Sequence, residues 1–259
     1  MSVSAEVQSL YGICDSIDSN PPPTRTLSAR SLLRLVETEA LAFLTPDSPR
    51  LLRLVECFQK CQEVAHRYPI AESEWLIDLI RQWFILVDEC FFFDTLTREV
   101  NTYKRFADGG ASINTREGRR HLVAFQVVRE YSGLSDPVTG QPKMGYHVLG
   151  DYSPLTRELQ IFLKLQIPVP NVPIYEIRRT PIVSILHTIV HESVHAYLQN
   201  FANPSHPAFE EDVAKNNGHG QVFGRIHQVI AEKIGTLTNS PEWRAAFDQV
   251  YRAVGHTQV

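Results

Sequence analysis

Two histidines and a glutamate within five residues have the spacing of a metal-dependent hydrolase. The run HESVH at positions 191–195 fits the pattern HExxH. Residues four apart lie on one face of a helix, so the imidazoles of His191 and His195 would reach one metal ion. Glu192 follows the first histidine and would lie beside a water molecule on that ion. Such an arrangement is typical of zinc peptidases, in which the glutamate serves as general base.

The segment around this motif predicts a buried helix over residues 180–200. Its apolar side chains recur at a spacing of three and four: Ile182, Ile185, Leu186, Ile189, Val190, Val194 and Tyr197. Asn200, followed by Asn203 and Pro204, favours the end of the helix. The competing interpretation is a buried helix with two core histidines. It leaves the charged Glu192 without a partner in an apolar environment, which is costly.

A third metal ligand is expected downstream of the motif. The extended pattern HExxHxxGxxH is excluded, because Leu198 and Phe201 occupy its glycine and its last histidine. The remaining candidates are His206, Glu210, Glu211, Asp212, His219 and His227. His219 is favoured, because its flanking glycines allow a sharp turn that brings the imidazole close to another helix.

A carboxylate is the alternative third ligand. Glu210 or Glu211 would complete a site with two histidines and one glutamate. However, the acidic run 210–212 also fits the solvated first turn of a short helix over residues 208–217. We expect one Zn²⁺ per chain, although manganese or another divalent ion stays open.

Two other side chains of the helix are candidates for accessory roles. His187 lies one turn before His191, and Tyr197 lies two residues after His195. Either side chain could orient a ligand from a second shell or stabilise an oxyanion. For His187, a partly buried structural histidine is the competing interpretation.

The two histidine motifs resemble those of the SprT-like (Spartan-type) zinc metalloprotease family. HESVHAY at 191–197 and GHGQVF at 218–223 match its HExxHA motif and its Gly-His-Gly turn followed by an aromatic residue. LVDECFFFDTL at 86–96 is similar to the family's aromatic segment, so the resemblance spans roughly residues 70–235. The stretch between the two motifs is longer than expected for this family.

The resemblance implies a zincin-like metalloprotease domain, an α+β fold with a small antiparallel or mixed sheet beside the HExxH helix. It also implies a protein or peptide substrate, and nucleic acid as a partner. Charge does not support the nucleic acid, because the chain carries a formal net charge of -4. Residues 178–233 are balanced, with five Arg or Lys and five Asp or Glu.

The hydrophobic pattern divides the chain into four parts. Residues 1–26 end in a proline-rich stretch and predict a flexible arm, and residues 27–69 predict a hairpin of two helices as an N-terminal extension. Residues 70–235 would form the metalloprotease domain, and residues 236–259 a C-terminal helix packed on it. Within the domain, an apolar stripe that includes Trp75 and Trp83 predicts a helix over residues 73–89 that packs against the HExxH helix.

Between residues 91 and 177 the apolar period shortens to two, which predicts strands. The runs lie at 121–128, 145–149 and 158–164. An extended peptide can add to an exposed edge strand and lie across a metal site. We expect 158–164 to be that edge.

The remaining features indicate an intracellular protein, cytoplasmic or nuclear. The first residues show no secretory signal, and no apolar run approaches the ~20 residues that a membrane span needs. The cysteines Cys14, Cys57, Cys61 and Cys90 form no CxxC pair and are expected to be buried thiols.

Three functions fit these observations. The first is a zinc-dependent endopeptidase with Glu192 as general base. The second is a catalytically silent zinc-binding interaction module, against which the intact Glu192 argues. The third is a protease restricted to DNA-bound proteins.

Overall fold

The computed structural model describes residues 4–17, 19, 23–45, 47–67, 73–102, 118–129, 149–168 and 175–253. Helices dominate, and a small three-stranded mixed sheet lies among them. The predicted α+β class is therefore confirmed.

Residues 5–16 of the predicted N-terminal arm are helical. These residues form helix α1 (Ala5–Ser16), and Ser4 caps it by accepting a hydrogen bond from the Val7 N–H. One face of α1 is buried in the core through Val7, Leu10, Ile13 and Cys14. The prediction of a flexible arm is wrong here, because this short helix has an apolar face that the protein can bury.

The next helices do not form the predicted hairpin. Helix α2 (Ala29–Leu35) continues through a π-helical turn (Val36–Ala40) into the short α3 (Leu41–Phe43). Helices α4 (Pro49–Arg67) and α5 (Glu74–Phe91) follow and pack on each other. Helix α2 instead packs against elements near the C-terminus of the chain, so the hairpin prediction is wrong.

The strands within the described residues form three small sheets. Strands β1 (Glu99–Thr102) and β2 (Gly118–His121) pair antiparallel, as do β6 (Lys164–Pro168) and β7 (Tyr175–Arg179). The mixed sheet has the order β3-β5-β4, with β3 (Ala124–Val128), β4 (Gly150–Ser153) and β5 (Glu158–Phe162). Residues 145–148 of the predicted strand 145–149 lie outside the described residues.

The expected edge strand proves to be central. Strand β5 pairs in parallel with β3 on one side and antiparallel with β4 on the other. The tight turn at 154–157 folds β4 back onto β5, and β3 covers the opposite side. The prediction that 158–164 is the edge is wrong, and β4 lies at an edge of this sheet as far as the described strands show.

The HExxH helix lies at the centre of the molecule. Helix α6 (Ile182–Phe201) confirms the predicted helix and packs against β4 and β5. A second π-helical turn (Glu210–Ala214) and the turn α7 (Lys215–Gly218) follow it. Helices α8 (Gln221–Thr238) and α9 (Pro241–Ala253) then pack on α6 from other sides.

An aromatic cluster joins four helices behind the HExxH motif. The rings of Phe58 on α4, Trp83 on α5 and Trp243 on α9 lie with centroids 5.9 to 6.0 Å apart. The Trp83 Nε1–H donates to the Leu186 carbonyl of α6 at 3.0 Å. Trp83 thus fixes α5 against α6, as the apolar stripe predicted.

Replacing Trp83 with alanine is expected to lower the free energy of unfolding by about 3–5 kcal/mol, because a fully buried ring leaves a cavity. Trp75 on the same helix is the matched control. It is 57% exposed, contrary to its predicted place in the buried stripe, since it begins the helix outside the core. Trp75→Ala should change the free energy of unfolding by less than about 0.5 kcal/mol. Urea unfolding of both variants measures the difference, and equal losses would contradict this packing.

The four cysteines are buried free thiols, as predicted. Among the described helices, none is both long and apolar enough to cross a membrane.

Candidate metal centre

Three predicted site residues, His191, Glu192 and His195, lie close together on helix α6. The rings of His191 and His195, one turn apart, lie with centroids 5.0 Å apart. The Glu192 Oε1 atom lies 4.0 Å from the His191 Nε2 atom. These side chains are held firmly because α6 is packed by β4 and β5 on one side and by α8 on another.

His219 reaches this pair through an unusual turn. Asn216, Asn217 and Gly218 have consecutive positive φ angles of 55°, 59° and 90°. Asparagine tolerates the left-handed region better than most residues, and glycine has no Cβ to clash there. A Cβ on Gly218 would also lie 3.2 Å from the His195 Cε1 atom. The glycine therefore allows both the turn and the close approach to helix α6.

The three imidazoles converge through their Nε2 atoms. The His219 Nε2 atom lies 3.1 Å from the His191 Nε2 atom and 3.2 Å from the His195 Nε2 atom. Zn–N bonds of about 2.0–2.1 Å in a tetrahedral site separate ligand nitrogens by about 3.3–3.4 Å. The observed separations are close to that value. His191, His195 and His219 thus lie close enough to hold one metal ion.

The surroundings keep two of the rings neutral. Burial and neighbouring histidines lower the pKa of His191 far below its usual value, and burial with His219 lowers the pKa of His195 to about 3. A neutral imidazole presents the lone pair that a metal requires. The His219 Nδ1–H donates to the Asn216 carbonyl at 3.0 Å, which directs Nε2 inward.

Glu192 lies beside the three-histidine cluster. Burial and, to a smaller extent, the nearby Asp151 raise the pKa of its carboxyl to about 8, although a hydrogen bond from the Tyr152 N–H acts in the opposite direction. A cation held by the histidines would lower this pKa again, because opposite charges favour the ionised carboxylate. The Tyr152 hydrogen bond ties the carboxylate to strand β4.

A cleft of about 380 Å³ opens onto these groups. Its wall comprises Asp151, Tyr152, Pro154, His191, Glu192, His195, Gln199, Ala214, Asn217, Gly218 and His219. Strand β4 forms one side of the cleft, and the 214–219 turn forms the other. A substrate in the cleft would therefore lie between an edge strand and the third histidine.

The accessory roles predicted for Tyr197 and His187 are wrong for the cleft. Tyr197 is fully buried between Phe92 and Phe201, on a different face of α6. His187 is also fully buried, and its ring lies against His227 and Trp243. Neither side chain lines the cleft, so neither can stabilise an oxyanion there.

The structure does not place the alternative carboxylate ligands of residues 210–212 in the cluster with His191 and His195. Glu211 accepts hydrogen bonds from Lys215 and Gln221 at the surface. Asp212, predicted to be solvated, is buried and paired with Arg30. Among the described residues, the only cluster of three potential ligands is the three-histidine one.

Sequence reasoning missed the contribution of β4. Asp151 and Tyr152 precede the motif by about forty positions in a segment without a recognisable pattern. Only the pairing of β4 with β5 brings them against α6. The signal that could have found them is the short turn at 154–157, which predicts a hairpin beside a known strand.

His187 makes stability sensitive to acid. Among the described residues, neither of its ring nitrogens has a hydrogen-bond partner, and burial lowers its pKa to about 4. Between about pH 6.5 and pH 4, His187 binds a proton in the unfolded chain but stays neutral in the folded chain. Acidification over this range therefore destabilises the fold. In chelator, wild type should lose about 2 kcal/mol more than His187→Phe between pH 7 and pH 5. Urea unfolding at both pH values checks this, and equal losses would contradict it.

Comparison of the chain with protein-family models, with curated proteins and with solved structures finds no match.

Proposed function

We propose that this chain is a zinc-dependent endopeptidase with a zincin-like domain of the SprT-like type. The observation that carries the proposal is the convergence of three Nε2 atoms beside the Glu192 carboxylate in an open cleft. His191, His195 and His219 would hold the zinc ion. When bound, zinc would act as a Lewis acid and lower the pKa of a coordinated water.

The protein's own side chains would supply the proton transfers. Glu192 takes a proton from the attacking water and passes it to the leaving amine. A cation held by the histidines would keep this buried carboxyl ionised and able to accept a proton, and the Tyr152 N–H holds it in place. The neutral imidazoles of His191 and His195 present the lone pairs that a metal ion requires.

Strand β4 supports a peptide substrate rather than a small molecule. It lies at an edge of the mixed sheet and along the cleft wall, where an extended peptide could pair with it. The cleft is open at the surface, as an endopeptidase requires for a chain that continues in both directions.

The test is hydrolysis of a denatured protein by the zinc-loaded chain, with and without chelator. We expect cleavage at internal peptide bonds that stops on chelation. No cleavage of any denatured protein by a chain that retains zinc would favour the silent binding module.

The same assay with added single-stranded or double-stranded DNA addresses the third function. The balanced charge of residues 178–233 favours cleavage that does not depend on DNA. Cleavage only in the presence of DNA would instead identify a protease of DNA-bound proteins.

A further inference from the structure

The turn that carries His219 has a strained backbone conformation. The turn before His219 contains two asparagines with positive φ, and each such residue costs of order 1 kcal/mol or more. A conformation of this kind persists only where neighbouring structure imposes it. The question is which contacts impose it.

The backbone after His219 packs closely against the peptide unit between Asp212 and Val213. A Cβ on Gly220 would lie 2.4 Å from the Asp212 carbonyl carbon and 2.5 Å from the Val213 nitrogen. The Gly220 N–H also donates to the Val213 carbonyl at 3.2 Å. The position of His219 therefore depends on where Asp212 and Val213 lie.

Asp212 is in turn fixed by an arginine from the other end of the chain. Its carboxylate is only 1% exposed, whereas the Arg30 side chain that binds it is 65% exposed. Arg30 Nε contacts both carboxylate oxygens at 3.0 and 3.2 Å, and Arg30 Nη2 contacts one of them at 3.0 Å. Such a fork holds a carboxylate in position and orientation at once. Without Arg30, a buried charge would lose its cation.

The segment that leads to Arg30 is itself docked beside the site. The Arg25 guanidinium donates to the Gln199 carbonyl at 2.7 Å, and the Leu27 carbonyl accepts from the Asn203 N–H at 2.8 Å. Both contacts are at the C-terminal end of α6, and Gln199 lines the cleft. Helix α2 also packs on α6, α8 and the π-helical turn that contains Asp212.

We infer that Arg30 is a positioning residue for the metal centre, acting through Asp212 and Gly220 on His219. The N-terminal segment is thus part of the site rather than an appended extension. This inference rests on the proposed function, because it assumes that His219 binds the metal.

The experiment measures the affinity for Zn²⁺ of Arg30→Ala and wild type by competition with a chromophoric chelator. Loss of an outer partner typically weakens metal binding by about 10–100-fold, and we expect a loss in that range. Arg30→Lys should recover part of the affinity, because an ammonium keeps the charge but not the fork. The double variant Arg30→Ala/Asp212→Asn should lose less Zn²⁺ binding free energy than the two single variants added together, because both substitutions remove the same ion pair.

Arg225→Ala is the matched control. Arg225 on α8 pairs with Glu37 at 3.0 Å, so it also joins the N-terminal helices to α8, but it does not contact Asp212. We expect it to keep the wild-type affinity for Zn²⁺. Thermal unfolding of each variant in chelator separates a change in fold stability from a change in the site.

Two results would overturn the inference in distinguishable ways. Wild-type affinity in Arg30→Ala, with affinity lost in His219→Ala, would remove Arg30 from the site and leave the proposed function intact. Absence of Zn²⁺ binding in wild type would overturn the proposed function and this inference together. If Arg30→Ala does not fold in chelator, Arg30→Lys replaces it, and wild-type affinity there overturns the inference.

Discussion

Replacing Glu192 with glutamine is expected to leave zinc bound and to lower peptide hydrolysis by about 10²–10⁴-fold. Glutamine has nearly the same shape but cannot accept the proton from water at neutral pH. The three converging Nε2 atoms belong to other side chains, so metal content should stay near one ion per chain. Initial rates on a denatured protein, set beside metal analysis of the same samples, measure both effects.

Glu232→Gln is the control for this substitution. Glu232 is an exposed residue of α8 that accepts a hydrogen bond from Gln228, away from the cleft. It should keep wild-type activity. Turnover retained in Glu192→Gln would remove this carboxylate from the mechanism, and loss of zinc would mean that it holds the metal.

Replacing His219 with alanine is expected to weaken zinc binding by more than the ~10–100-fold typical of an outer partner. The variant removes a direct ligand and leaves His191 and His195, which cannot complete the site alone. Chelator competition measures the affinity, and hydrolysis should fall with it.

His206→Ala is the matched control for the third ligand. His206 lies on the loop after α6, where its Nδ1 atom accepts a hydrogen bond from the Ala208 N–H. Zinc affinity should be unchanged in this variant. Full retention of zinc in His219→Ala would move the third ligand towards residues 210–212.

The histidine pair and its helix could be predicted because their signal is local. Apolar periodicity defines the helix, and a spacing of four places both imidazoles on one face. His219 was also within reach, since its flanking glycines indicate a sharp turn. Tyr197 could have been excluded on the same grounds, because two residues after His195 point about 200° away around a helix.

The remaining features depend on long-range pairing. The acidic run 210–212 predicts a solvated first helical turn, whereas the actual partner of Asp212 is Arg30, which lies 182 positions away in the sequence. The edge strand was assigned to 158–164, because the alternation of apolar residues shows that a strand is half-buried but not which strands flank it. The proline run at 21–23 predicts an extended arm for residues 1–26, but it says nothing about the apolar face of α1 that precedes it.

The measurement that tests the central claim most directly is proteolysis in water enriched in oxygen-18. The zinc-loaded wild type and Glu192→Gln would be incubated with a denatured protein, and the products analysed by mass spectrometry. We expect new internal C-termini that carry oxygen-18 in the wild-type reaction, and essentially none with Glu192→Gln or chelator. Intact substrate in the wild-type reaction, with zinc still bound, would contradict the assignment of this chain as a peptidase.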